Sequence, residues 1–394
     1  MKDCPLDILP KLPSPDRCCG CSACFAACPH GAIEMKPDGE GFLQPVVNGN
    51  LCVECGLCSR VCPVLNPSEP RKPLAVYAAK AKDDELRRIS SSGGIFSLLA
   101  RRVLERGGVV YGAAFEPETH KVVHIAVEDE EGLDRLRGSK YVQSDMGDTF
   151  RNVKRDLDHG RHVLFSGCPC QVAGLRRFLD GQPENLLLVD VICHAVPSPM
   201  AWQKYLSCQE CKEGAKIVRT FSRRNCAWRK YALSLEFVNS SDNAYLVNPS
   251  NDTYLRAFCS ELFNRKCCHG CVFRYFKSGS DITIGDYWGI ERIWPEFSDD
   301  IGISAVCINT EKGKISASSV ADSVWSKLSD IHDVAQINKM VFDNHTANKK
   351  RDRFFAEVTS ANFDELVERL MMPPLWYRIL RWIKWHTVGR PEDI

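Results

Sequence analysis

Cys18, Cys21, Cys24 and Cys28 follow one another as C-x2-C-x2-C-x3-C, with Pro29 after the last. Cys52, Cys55, Cys58 and Cys62 repeat the pattern ahead of Pro63. Thiolates at this spacing hold [4Fe–4S] clusters. Three cysteines on a tight loop can aim their sulfurs at three irons of one cube. The fourth leaves on a short helix and crosses to the other cluster. The expected sets are Cys18, Cys21, Cys24 and Cys62 for one cluster, and Cys52, Cys55, Cys58 and Cys28 for the other. The competing chemistry is a pair of zinc sites. Zinc takes about four ligands in two CxxC-like pairs, whereas each run here supplies four at cluster spacing, so iron is favoured. Cys19 fits neither run and reads as a bystander. Gly20, Ser22, Ala23, Ala26, Ala27 and Gly56 are small enough for backbone amides to approach the sulfurs and tune their potential.

A second group of cysteines is scattered. Cys168 and Cys170 lie in FSGCPCQVAGLRRFL, Cys193 in VDVICHAVPSP, and Cys268 and Cys271 form a CxxC in RKCCHGCVF. Cys168, Cys170 and Cys193 follow short apolar runs that read as buried strands, and open α/β sheets place their sites outside the carboxyl ends of strands. Cys267 could stand in for Cys268, but only Cys268 gives the two-residue gap to Cys271. Cys208 and Cys211 make another CxxC on an expected helix, without a strand end or loop beside it. Cys4, Cys226, Cys259 and Cys307 read as plain residues, since buried cysteine is common.

These groups need elements to position them. LAVYAAKA, VVYGAAF, residues 122–127, HVLFSGC, LLLVDVIC and SDITIGDYWG read as strands. Helices are expected after SSSGG, over roughly 145–158 and in QVAGLRRFLDG, and GAIEM reads as a short strand. Strands alternating with helices argue for a mainly parallel sheet, and TFSRR, YALSLEFV and AYLV for an antiparallel portion near 216–247. The fold class is thus a multidomain chain, part α+β and part α/β. A small dicluster ferredoxin-type fold over residues 1–70 precedes an α/β domain over 74–345, to which the resemblance given below assigns flavin binding, and a helical tail over 346–394. The proline-rich NPSEPRKP, residues 66–73, reads as the linker.

Bulk composition agrees. The chain has 394 residues, ample for a buried core, and 44% of them are apolar. Its 51 Lys and Arg balance 50 Asp and Glu, which leaves no footprint for nucleic acid. MKDCPLDILPKLPSPDR lacks the apolar stretch of a signal peptide, and there is no run of about 18 apolar residues to span a membrane, so a cytoplasmic protein is expected. With 21 cysteines and no signal sequence, metal is expected rather than disulfides.

SSSGGIFS, GSKYVQS, GCPCQVAGLR, VICHAVPSP, RKCCHGCVF, SDITIGDYWG and GISAVCINTEKG, in this order over about 90–313, resemble the beta-subunit family of coenzyme F420 hydrogenases and dehydrogenases. The family includes flavin-dependent reductases of chlorophyll metabolism. The resemblance implies an oxidoreductase carrying FAD and a third [4Fe–4S] cluster, held by Cys170, Cys193, Cys268 and Cys271, with Cys168 a neighbouring thiol. It implies that Ser92, Gly93, Gly94, Lys140 and Tyr141 line the flavin, with Asp286 and Trp288 closing the site. SSSGG ahead of a helix offers amides and hydroxyls to a pyrophosphate, although a plainly capped helix fits the same residues. Lys140 could complement a phosphate or the flavin, or be a surface cation.

Such a chain would take electrons from a ferredoxin or a redox partner subunit, in an anaerobic setting, and reduce or oxidise a small-molecule or coenzyme substrate. Clusters pass one electron at a time and a flavin two. Tyr141 and His194 are the candidate proton donors, and His194 could equally be structural. The alternative is a non-catalytic electron-transfer subunit of a larger complex. LWYRILRWIKWH, residues 375–386, is amphipathic as a helix and could rest on a membrane surface, dock a partner or pack on its own body.

Overall fold

The structure is a computed structural model and describes residues 10–225, 228, 229, 231–238, 245–247 and 250–372. Cys4, Cys226 and the amphipathic segment 375–386 lie outside the described residues.

The two cysteine runs are loops that end in short helices, α1 (Ala23–Ala27) and α2 (Leu57–Arg60). Between them β1 (Ile33–Pro37) and β2 (Leu43–Val47) pair antiparallel, Ile33 opposite Val47. The expected GAIEM strand is β1. The body then runs β3 (Ala75–Ala81), α3 (Asp84–Arg88), α4 (Ile95–Leu104), β4 (Val109–Phe115), β5 (Val122–Val127), α5 (Glu130–Leu136) and α6 (Thr149–Asp158). It continues with β6 (Val163–Gly167), α7 (Pro169–Phe178), β7 (Leu186–Val191) and α8 (Pro199–Glu213). A small antiparallel sheet follows, made of β8 (Ile217–Asn225), β9 (Tyr231–Phe237) and β10 (Tyr245–Val247). The last elements are α9 (Thr253–Cys259), β11 (Ile282–Asp286), β12 (Ser304–Ile308), α10 (Glu311–Ser318), β13 (Val324–Ser329), α11 (Ile331–Ala335), α12 (Arg351–Glu357) and α13 (Phe363–Met371).

The large sheet has eight strands in the order β13-β3-β12-β11-β7-β6-β4-β5. It is mixed, not mainly parallel. Only β4, β6, β7 and β11 run parallel to their neighbours, and every pair outside that block is antiparallel. The reason lies in the connections. Residues 116–121 join β4 to β5, too short for the crossover a parallel pair needs. Residues 287–303 return from β11 to β12 through 3-10 turns without a helix to cross the sheet face. The polar edge strand β13 has little sequence signal.

Successive strand residues serve opposite faces. Val109 and Tyr111 pack with Phe150, Val172 and Leu175 of α6 and α7, while Val110 packs with Leu99, Leu133 and Leu136 of α4 and α5. A third core joins α8, α9, α12 and α13 to β9, through Trp202, Tyr254, Leu233, Phe354 and Leu366. Helices α12 and α13, expected in the tail, therefore pack into the body. All four parallel strands end on one edge of the sheet, at Phe115, Gly167, Val191 and Asp286. Ser304 at the start of β12 stands opposite Asp286 and Ala79, on that same edge.

The N-terminal unit is fastened to this edge by buried arginines. Arg265 donates to Cys18 O, Leu43 O and Gln143 Oε1 at 2.7–2.9 Å. Arg351 donates to Asn264 O and pairs with Glu40. The expected linker is tied down as well: Asn66 Nδ2 donates to Ser59 O and Cys62 O, and Asn66 O accepts from Arg177.

Candidate functional site

The first N-terminal set converges. Cys18, Cys21, Cys24 and Cys62 line one small cavity of about 20 Å³, walled by Leu12, Val64 and Pro45. All four are buried. Burial pushes the Cys18 thiol up to about 11, with Cys19 adding and Arg265 opposing. An iron centre reverses that balance, because a coordinating thiol is deprotonated outright. Gly20 N points at Cys18 Sγ from 3.4 Å, a contact of the kind that tunes a cluster. Gly20 has φ +67°, and a Cβ there would meet Arg265 Nη1 at 2.5 Å, so only glycine lets the loop close over the arginine. The second set is nearer solvent: Cys58 is buried, Cys28 and Cys52 half-buried and Cys55 exposed. Ala32 N points at Cys28 Sγ from 3.3 Å.

The scattered cysteines converge too. Cys170, Cys193, Cys268 and Cys271 line one cavity of about 160 Å³ at the ends of β7 and β11. Strand β6 delivers Cys168, which opens α7. Pro169 sits at the first helical position, and Gln171 Oε1 returns to accept from Cys168 N at 2.8 Å. Cys170 thus lies in the first turn, and the hydrogen bond to Cys19 together with burial raises its thiol well above the ordinary value. The turn Lys266–Gly270 presents Cys268. Arg274 donates to Cys193 O at 2.6 Å and fixes the end of β7.

Three more cysteines join them. Cys19 and Cys267 line the same cavity, and the free Cys168 thiol hydrogen-bonds to Cys193. That bond draws Cys193 down to about 7 against burial, with Arg274 and His194 assisting. Cys19 is not the bystander its spacing suggests. Its free thiol shares hydrogen bonds with those of Cys170 and Cys21, which draws it well below its ordinary value against burial. Nothing in the sequence signals this, because Cys170 is far along the chain. Cys208 belongs to the α8 core, its Sγ 3.5 Å from Asn362 Oδ1, while Cys211 is exposed on the same helix.

The expected flavin residues share the sheet edge, with altered duties. Gly94 starts α4 at φ +80°, and Gly93 N donates to Ser304 Oγ at 3.0 Å. A Cβ on Gly93 would meet Ala79 O at 2.3 Å, so this glycine lets α4 lie against β3 and β12. Ser92 Oγ donates to Ile303 O at 2.9 Å. Lys140 is neither a surface cation nor aimed at open space. Its ammonium donates to Arg135 O, Leu136 O and Arg137 O, the carbonyl end of α5, at 2.8–2.9 Å. Burial draws it down to about 7.

Asp286 pairs with Arg223 of β8 and accepts from Trp228 Nε1 at 2.8 Å. Trp228 stacks on Trp288 at 4.8 Å, and Arg223 lies 5.4 Å from the Trp288 ring. Tyr141 is half-buried, and desolvation raises its hydroxyl against the lowering by Arg223 and by hydrogen bonds to Ser139 and Arg223. Ser139 Oγ meets Ser91 Oγ at 3.1 Å. Ser91, Ser139, Tyr141, Arg223, Asp286 and Trp288 thus form one continuous strip. Arg223 and Ser139 carry no sequence signal, since β8 and the loop before Lys140 meet only in the fold. Tyr141 and His194 both pack on Phe258, at 5.2 and 4.9 Å, and so bracket the space between strip and cysteine cavity.

With this geometry in hand, comparison with known proteins is decisive. Two profiles of the coenzyme F420 hydrogenase/dehydrogenase beta subunit match, the one for its N-terminal part over residues 76–150 and the one for its C-terminal part over residues 160–334. The chain belongs to this family. A 4Fe-4S dicluster domain profile matches residues 17–66, so it is an iron–sulfur member of an oxidoreductase family. It is 26% identical over 190 residues to the F subunit of the F(420)H(2) dehydrogenase from Methanosarcina mazei, covering 44% of this chain and 52% of that protein. It is 24% identical over 166 residues to the coenzyme F420-dependent sulfite reductase of Methanocaldococcus jannaschii, covering 41% of this chain and 25% of that protein. The match therefore spans about half or less of these curated relatives. Among solved structures, a chain of the F420-reducing [NiFe] hydrogenase complex from Methanosarcina barkeri aligns with a TM-score of 0.47 at 17% identity, over 76% of this chain and 91% of that one. Among the described residues no helix is long and apolar enough to cross a membrane.

Proposed function

We propose that the chain is a flavin-dependent oxidoreductase that holds three [4Fe–4S] clusters and FAD and passes electrons between a ferredoxin-type partner and a two-electron substrate or coenzyme, F420 being one candidate. The observation that carries this reading is the contiguity of the three cysteine groups. The set nearer solvent, Cys28, Cys52, Cys55 and Cys58, adjoins the buried set Cys18, Cys21, Cys24 and Cys62, where the Cys58 and Cys24 thiols feel one another. Cys19, hydrogen-bonded to both Cys21 and Cys170, leads from there to the body cavity.

Bound in these places, clusters would supply one-electron transfer and FAD the exchange between one- and two-electron chemistry. The chain's residues do the rest. Cys170, Cys193, Cys268 and Cys271 would hold the body cluster, and Cys168, hydrogen-bonded to Cys193, is the alternative to Cys170 as the fourth ligand. Arg265 and Arg274 place positive charge beside these thiolates. Phe273, Phe276 and Val272 wall the cavity against water. Ser92, Gly93, Gly94, Lys140, Tyr141 and Asp286 would border the flavin, Arg223 pairing with Asp286 and Trp288 offering a ring to stack on. Tyr141 or His194 would move the proton. Residues 1–70 would act as the ferredoxin-like domain and residues from 74 onward as the oxidoreductase domain.

Anaerobic purification with iron, sulfide, zinc and flavin counted per chain tests this. About twelve irons and one FAD are expected. About eight irons without flavin would reduce the protein to an electron carrier. A second reading, an electron-transfer subunit of a larger complex, is favoured by the apolar rim of Val46, Leu51 and Val53, exposed near Cys52 and Cys55. Turnover that depends on a co-purifying protein would select it.

A further inference from the structure

Glu261 follows α9 with φ +60°, a left-handed conformation that glycine or asparagine normally takes. Its carboxylate is buried. One oxygen, Oε2, accepts from Asn264 Nδ2 at 2.6 Å, which fixes the group's orientation. The other, Oε1, lies 2.7 Å from His194 Nε2 and 3.8 Å from His345 Nδ1. The close contact with His194 lacks hydrogen-bond alignment, and Glu261 Oε1, His194 Nε2 and His345 Nε2 are all buried without a hydrogen-bond partner. Buried polar atoms in native proteins are satisfied in the great majority of cases, and an exception calls for an unseen water or ion. Here three residues from three separate segments meet around Glu261 Oε1, His194 through its orphaned Nε2 and His345 through Nδ1. One donor atom from each lies within 4.8 Å of the other two.

Their positions are held from behind. Arg274 donates to His194 O at 3.2 Å and to Asn344 Oδ1 at 3.1 Å, so one guanidinium sets the spacing between the segments that carry the two histidines. The imidazoles pack at 4.1 Å. Both histidine side chains remain about 30% exposed, which leaves a path to solvent.

We propose that His194, Glu261 and His345 bind one divalent first-row transition-metal ion, a site separate from the cysteine clusters; with His194 so ligated, the proton of the proposed function falls to Tyr141. Two imidazoles and a carboxylate suit zinc or iron(II), and three protein ligands leave coordination positions open. Asn264 is the outer partner that such a carboxylate requires. An ion there would acidify a bound water beside the cavity that His194 also lines.

Zinc is the probe, because it binds nitrogen and oxygen sites more tightly than manganese or iron(II). Cluster-loaded full-length protein would be incubated anaerobically with a small excess of zinc chloride, desalted, and analysed for zinc, iron and sulfide per chain. Wild type is expected to retain about one zinc more than His345→Ala or Glu261→Gln, at equal iron and sulfide. Zinc should also raise the Tm of wild type and leave that of His345→Ala in place. His345 is half-exposed, so its variant reports even if Glu261→Gln does not fold. Wild type that retains no more zinc than His345→Ala overturns the proposal and leaves a plain histidine–glutamate contact.

Discussion

Cys18, Cys21 and Cys24 reach their cavity from a single loop, whereas Cys170, Cys193, Cys268 and Cys271 reach theirs from the end of one strand, the first turn of a helix and a distant 3-10 turn. The first group needs only a short stretch of chain with small residues between the thiols. The second exists only if the parallel pair β6 and β7 forms in register, because these strands bring Cys170 and Cys193 to one edge, where the turn Lys266–Gly270 meets them. A local site survives changes in the sheet behind it, and an assembled site inherits every error in that sheet. Arg265, Gln143 and Cys19 make the two meet, so their independence is testable.

The largest effect is expected from Cys193→Ala. If Cys193 is a ligand of the assembled site and the proposed FAD is bound, the variant loses about four of about twelve irons, keeps that FAD, and loses reduction of the flavin by ferredoxin. Cys170→Ala and Cys168→Ala, counted in the same way, decide which of those two thiols is the fourth ligand. Twelve irons and full ferredoxin-driven activity in Cys193→Ala would sink the assignment.

The same contrast explains what can be read from the sequence. The N-terminal runs are legible because ligand spacing is a local property. Strands β3, β4, β6, β7 and β11 are legible as apolar runs, but their partners are not, and so the antiparallel flanks escape a reading by pattern. Cys19 is invisible because its meaning comes from Cys170. The partners of Lys140 are not legible because nothing in GSKYVQS says that the carbonyl end of α5 stands over its ammonium. Glu261, in FCSELFNRK, carries no motif, and only folding brings His194 and His345 to it.

Arg265→Ala should break the junction between the regions. It leaves Cys18 O, Leu43 O and Gln143 Oε1 buried without their charged donor. The loss should be about 3 kcal/mol or more, as for hydrogen bonds to a charged group. Chemical denaturation measures it, and proteolysis in 66–73 should quicken as the N-terminal unit loosens. An unchanged denaturation midpoint would show that the units are joined elsewhere.

A smaller effect probes how closely they pack. A Cβ on Gly174 of α7 would stand 2.9 Å from Cys21 Sγ. Alanine in a helix ordinarily stabilises by about 0.5–1 kcal/mol relative to glycine, but overpacking costs about 1–3 kcal/mol. Gly174→Ala should therefore be net destabilising by about 1 kcal/mol and should shift the electron paramagnetic resonance signal of the Cys18–Cys62 cluster. A stabilised variant with an unshifted signal would mean that α7 has room to move.

The smallest effect is a control placed in the body, away from both cavities. Asp252 caps α9, accepting from Leu255 N and from the Tyr205 hydroxyl, each at 2.7 Å. Burial raises its carboxyl from 3.8 to about 6, against the opposing bonds from Tyr205 and Leu255. The folded protein then holds the proton more tightly than the unfolded chain. Between about 3.8 and about 6 the folded state carries more protons, so this group's contribution to stability falls as pH rises and is fully lost above about 6. The raised value corresponds to about 3 kcal/mol against the ionised form. Asparagine keeps the cap and carries no charge, but its hydrogen bonds are weaker, so Asp252→Asn should gain about 1 kcal/mol at pH 7 and little at pH 5. Denaturation of both proteins at the two pH values gives the difference, and iron content should not change. A gain that is the same at both values would remove the ionised carboxylate as its cause. A loss of iron would show that the support of the assembled site extends back through α9 to its first turn.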